Sequence, residues 1–152
     1  INTAVMLLVV PAMPLAALVG DRWMPRKTWI GISFLILALA SWPLDLWMLD
    51  SGGALGAVVA AHVLTFLLLS VPLGSGPALF VEMFPESDRL SGYSVAFNVG
   101  LGIFGGLTPM VATSLIALTG APTAPSLYMA VAALLALFVL ALIPDRSRVP
   151  LR

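Results

Sequence analysis

Residues 54–81 read ALGAVVAAHVLTFLLLSVPLGSGPALFV, a run without a single charged side chain, closed by Glu82. A helix on the surface of a soluble protein keeps a polar face toward water. This run has none, so its solvent is lipid. As one straight α-helix, residues 54–82 would measure ~44 Å, against a bilayer core of ~30 Å. Division at Pro72 would leave residues 73–82, too short for a second span and enough for a re-entrant segment at most.

Four further apolar blocks flank this one, over residues 4–20, 28–44, 92–118 and 126–143. Charges gather between them. Asp21, Arg22, Arg26 and Lys27 follow the first block, and Asp45 and Asp50 follow the second. Glu82, Glu86, Asp88 and Arg89 follow the third. A neutral loop with Pro122 and Pro125 precedes the last block, and Asp145, Arg146, Arg148 and Arg152 follow it. The 152 residues are 61% hydrophobic and 9% charged, where a soluble domain carries ~25% charged residues. So few charges cannot cover a globule with a water-facing surface. The expected fold is an all-α membrane protein with about five transmembrane helices, over residues 4–20, 28–44, 54–82, 92–118 and 126–143.

The distribution of positive charge decides how the long third block is read. Lysine and arginine collect on the cytoplasmic side of membrane proteins. With five spans, the loops after spans one and three and the C-terminal tail share one side. All 7 basic residues lie in those three places. Division of residues 54–82 would put Arg89 and the tail opposite the first cluster. One long, kinked third helix and a cytoplasmic C-terminus are therefore expected. Trp29 and Trp47 stand near the two ends of the second span, as interfacial anchors do. The chain opens on Ile1 with no basic run before its first apolar block. It is read as a piece of a longer protein, without a signal peptide.

Several chemistries are excluded. A net charge of +0 offers nothing to nucleic acid. Without cysteine there are no disulfides, no thiol nucleophile and no cysteine-built zinc site. One histidine makes no metal cluster, and no phosphate-binding loop is present. Leu73-Gly74-Ser75-Gly76 lacks the leading glycine of an intramembrane serine protease. Neither enzyme activity nor a cofactor is expected.

Small polar residues inside the spans are the candidates for a solute pathway. In the third span His62, Thr65, Leu69 and Gly76 share one helical face, with Ser70 beside it. Helices broken by glycine and proline, as here by Pro72, Gly74, Gly76 and Pro77, occur where transporters bind substrate or bend. In the fourth span Ser94, Asn98, Gly102, Gly105 and Pro109 fall on one side, with Thr108 close by. An amide in hydrocarbon costs free energy unless it is hydrogen-bonded. Asn98 is therefore expected to face protein, ligand or water. Packing across a helix interface accounts for either stripe as well as a cavity does. The cavity candidates are Asn98, His62, Thr65, Ser70 and Thr108.

Two stretches carry a family resemblance. Ala17-Leu18-Val19-Gly20-Asp21-Arg22-Trp23-Met24-Pro25-Arg26-Lys27 resembles the loop motif of the major facilitator superfamily, glycine-x-leucine-small-Asp-Arg-x-Gly-Arg-basic-basic. Asp21, Arg22 and the two closing basic residues match. Met24-Pro25 stands where the motif has Gly-Arg. Glu82-Met83-Phe84-Pro85, Arg89, Ser91-Gly92, Asn98, Phe104-Gly105-Gly106 and Thr108-Pro109 resemble the pattern of the metabolite:proton symporter family within that superfamily. Phe97 stands where tyrosine usually precedes the asparagine. The resemblance covers nearly the whole chain and implies helices eight to twelve of a twelve-helix fold. It also implies that Asp21, Arg22, Glu82 and Arg89 belong to a cytoplasmic gate, and Arg26 of the same basic cluster is counted with them. Glu82 and that cluster end different spans on one side, so Glu82 is expected close to Arg22 or Arg26 in at least one conformation.

The function so implied is proton-coupled symport of a small metabolite, an organic acid or an osmolyte, in a bacterial inner membrane. Its partners would be the solute, the proton, the lipid bilayer and an N-terminal half of the same transporter. The alternative is a membrane scaffold or assembly protein that kept the fold without transport.

Overall fold

In the computed structural model, residues 2–144 are described, apart from the side chains of residues 2, 8 and 9. The charges of the tail, Asp145, Arg146, Arg148 and Arg152, lie outside the described residues. Six α-helices make five rods: α1 (Asn2–Trp23), α2 (Arg26–Asp50), α3 (Leu55–Val81), α4 (Arg89–Gly100), α5 (Gly106–Thr119) and α6 (Ala124–Leu142). A π-helical turn over Leu101–Gly105 fuses α4 and α5 into one rod. No strand occurs among the described residues. Four rods, α2, α3, α4–α5 and α6, are long and apolar enough to cross a membrane. The chain is an integral membrane protein of all-α fold.

The long third block is a single helix that continues through Pro72 and Pro77. Hydrocarbon leaves no acceptor other than the helix's own ladder, so a proline is carried rather than used as a break. The fourth block is not one regular helix. Pro109 has no N–H to give to the carbonyl of Gly105 four residues back. The widened turn over Leu101–Gly105 ends at that carbonyl. The Thr108 hydroxyl donates to the neighbouring Phe104 carbonyl at 2.6 Å.

α3 packs between α1 and α2, and α6 covers the other side of α2. One core cluster joins Ala16, Ile30, Val71, Leu79 and Leu140, from all four helices. A second joins Leu37, Ala38 and Ala133, with Phe34, Leu68 and Met129 against it. Lipid tails are as apolar as leucine, so close packing and interhelical hydrogen bonds hold such helices together. Buried serines supply the bonds. Ser33 donates from α2 to the Leu68 carbonyl of α3 at 2.6 Å. Ser41 donates from α2 to the Ser126 carbonyl of α6 at 3.2 Å. Gly74 lets α1 and α3 cross closely, because a Cβ there would stand 2.3 Å from the Met13 carbonyl oxygen. The α4–α5 rod contains no buried residue. It meets α6 across the Gly120 turn and touches α3 only sparingly.

Candidate functional site

The joined ends of α1, α2 and α3 carry the densest charge cluster of the described residues. Its geometry begins with Gly20. A Cβ at that position would stand 2.6 Å from Cδ1 of Trp29, so only glycine lets the indole lie against α1. Trp29 Nε1 donates to the Ala16 carbonyl at 2.9 Å and locks that contact. Pro25, in extended conformation (φ −57°, ψ 136°), starts α2 immediately after α1 ends. This short connection places Arg26 next to Asp21.

The Arg26 guanidinium spans three helices. Its Nε donates to Asp21 Oδ1 at the end of α1. Its Nη1 donates to Oε1 of Glu82, the residue that closes α3. The Glu82 side chain is 12% exposed and that of Arg26 21%, so much of this pair is withdrawn from water. Asp21 is more open, at 48%. The planar guanidinium offers donors in a fixed fork, which suits it to hold two carboxylates at once. Among the described residues, Glu82 Oε2 and Arg89 Nε are buried without a hydrogen-bond partner. Glu82 and Arg89 therefore do not pair with each other here. Arg22 is exposed and forms no ion pair with a described residue.

Lys27, matched to the loop motif but not counted with the gate, completes this end. Its Nζ donates to the carbonyls of Ala141, at 3.0 Å, and Ile143, at the C-terminus of α6. A cation there meets the negative end of the helix dipole. Two consecutive basic residues thus tie α2 to α1 and α3 on one side and to α6 on the other. The adjacent pair of basic residues was the available signal. Which helix each would meet depends on packing.

The cavity candidates lie on two rods, α3 and α4–α5. His62 is half-buried, and its Nδ1 bonds to the Val58 carbonyl at 2.8 Å. Thr65 is half-buried, and Ser70 is buried with its hydroxyl on the Leu67 carbonyl at 2.6 Å. Asn98 and Thr108 lie on the exposed α4–α5 rod. Asn98 Nδ2 donates to the Ser94 carbonyl of its own helix at 2.8 Å. That bond answers one of the amide's donors and leaves its carbonyl oxygen for another partner.

The chain is similar in sequence to known transporters. The chain is 33% identical over 143 residues to a citrate-proton symporter of Klebsiella pneumoniae, covering 92% of this chain and 31% of that protein. It is 30% identical over 131 residues to a citrate-proton symporter of Salmonella typhi, covering 86% and 30%. It is 31% identical over 132 residues to a putative proline/betaine transporter of Staphylococcus aureus, covering 84% and 27%. The chain belongs to the metabolite:proton symporter family of the major facilitator superfamily. It spans about a third of the length of these curated relatives. No family model matches the chain, and no solved structure is significantly similar to it.

Family membership gives the charge cluster its motif frame. Pro25 occupies the position of the motif's second arginine, which removes a cation from the loop. Arg26, one residue later, makes both ion pairs. Its first-turn position on α2 directs it between the ends of α1 and α3.

Proposed function

We propose that this chain is part of the C-terminal half of a proton-coupled symporter for a small organic acid or osmolyte, working by alternating access. Its five rods would correspond to helices eight to twelve of a twelve-helix fold, in a bacterial inner membrane with the C-terminus in the cytoplasm. The observation that carries the reading is the Arg26 bridge to Asp21 and Glu82. It ties three helices at the end where Arg22, Arg26, Lys27 and Arg89 all lie. Relatives named for citrate-proton symport and for proline/betaine transport support the solute class. In transporters of this architecture one bundle rocks against another around a midplane site. A charge cluster at one face then biases the populations of the two states rather than holding the fold.

In that scheme Asp21, Arg26 and Glu82 form the cytoplasmic gate, with Arg22 and Arg89 at its edge. Asn98, Thr108 and the His62–Thr65–Ser70 face line the central cavity or the contact with the other half. The exposure of the α4–α5 rod supports this role for Asn98. An amide there requires a partner that the described residues do not supply beyond Ser94.

Uptake by the full-length transporter in proteoliposomes tests the reading. Citrate, proline and betaine are offered under an imposed inward proton gradient. Accumulation of at least one solute, abolished by a proton ionophore, is expected. Accumulation of none of a broad panel of organic acids and betaines would overturn transport. Uptake indifferent to the proton gradient would overturn proton coupling.

A further inference from the structure

A cleft of about 620 Å³ opens between α1 and α2, floored by α3. Leu15 and Val19 of α1, Trp29 and Ile36 of α2, and Leu67 and Ser70 of α3 line it. Its two polar groups are already satisfied within the bundle. The Trp29 indole N–H is on the Ala16 carbonyl, and the Ser70 hydroxyl is on the Leu67 carbonyl. Nothing in the wall asks for a polar ligand, so the cleft suits an apolar occupant. Along α2 the lining runs from Trp29 to Leu44, or ~22 Å of helix. One leaflet contributes ~15 Å of the ~30 Å core.

The register of α1 carries charge toward one end of the cleft. Leu15 and Val19 lie on the lining face of α1. The next residue on that face is Arg22, seven after Leu15 and three after Val19. Arg22 is exposed, and the nearby carboxylates of Asp21 and Glu82 are both held by Arg26. Trp23 beside it is 75% exposed, as a side chain at the level of lipid headgroups is. The lining face of α1 thus continues to a guanidinium with no ion pair among the described residues.

We propose that the α1–α2 cleft binds an anionic phospholipid, with one acyl chain along the trough and its phosphate on the Arg22 guanidinium. In the orientation proposed above this lipid belongs to the cytoplasmic leaflet. A guanidinium presents a fork of N–H donors that matches phosphate oxygens. A zwitterionic lipid brings its own cation to the same place and gains less. The bound lipid would sit one residue from Asp21, and so beside the charge cluster at the ends of α1, α2 and α3.

The test uses the full-length transporter in detergent and native mass spectrometry. Phosphatidylglycerol and phosphatidylcholine with identical acyl chains compete for retention. The wild type is expected to prefer phosphatidylglycerol about fivefold, the contribution of one basic residue near a lipid surface. Arg22→Gln should abolish the preference while retaining lipid, and Arg22→Lys should keep most of it. Leu67→Trp, which fills the trough, should lower retention of both lipids. Ala40→Phe, on the α2 wall of the cleft, reads the same if Leu67→Trp fails to fold. A preference unchanged by Arg22→Gln would overturn the headgroup assignment. Retention unchanged by filling the trough would overturn the acyl-chain assignment, and would mean that another segment of the transporter covers the cleft.

Discussion

Substitution of Gly74 by alanine isolates the closest helix crossing in the bundle. A Cβ at this position would lie 2.3 Å from the Met13 carbonyl oxygen and 3.0 Å from its carbon. Ordinary van der Waals contact begins at 3.4 Å, so the two helices are about 1 Å too close for a methyl group. The obstacle is backbone, which cannot rotate away as a side-chain tip would. α1 and α3 must separate along their crossing. A gap of ~0.5–1 Å forfeits a quarter to a half of each contact's dispersion energy. Overpacking of this kind costs ~1–3 kcal/mol. The intrinsic helix preference for alanine over glycine returns up to ~1 kcal/mol, so a net loss of ~1–2 kcal/mol is expected. Gly31→Ala is the control on α2, because its Cβ would meet Leu137 and Leu140 at 3.5 and 3.6 Å, an ordinary fit. That variant should be neutral or more stable by up to ~1 kcal/mol. Thermal unfolding of the full-length protein in detergent reads both. Gly74→Ala should lower the midpoint by a few degrees and Gly31→Ala should not. Equal midpoints for the two variants, or a gain in Gly74→Ala, would refute the close crossing of α1 and α3.

Three further outcomes are expected. Arg26→Gln leaves the largely buried Glu82 carboxylate without its cation, a loss of ~1–3 kcal/mol in the state that forms the pair. Arg26→Gln and Glu82→Gln should each shift the inward/outward population, and the double variant should fall short of their sum; unchanged cysteine accessibility and transport in both single variants would end the gating role. Asn98→Leu should impair uptake in the full-length transporter more than expression, and the reverse pattern would assign Asn98 to helix packing. Single cysteines introduced into this cysteine-free chain at positions 50 and 123 should label from outside intact cells, whereas those at 26 and 89 should not; external labelling at 26 would reverse the orientation.

The helical membrane architecture was legible in the sequence because its signals are local and add along the chain. Each uncharged residue in 54–81 lowers the cost of lipid on its own account, and Pro72 and Pro77 do not outweigh the sum. The family was legible for a related reason: Asp21, Glu82, Arg89 and Asn98 stand in motifs of fixed spacing. The pairings were a different matter. Proximity of Glu82 to Arg22 or Arg26 follows from both charges ending spans on one side. The selection of Arg26 depends on the rotation of α2, set by Trp29 against Gly20 and by Pro25 in extended conformation. Lys27 on the carbonyls of α6, more than a hundred residues away in sequence, needs the α2–α6 packing to exist. The π-helical turn before Pro109 was equally invisible. Helical periodicity assigns residues to faces of one helix, and only the packing of helices decides what each face meets.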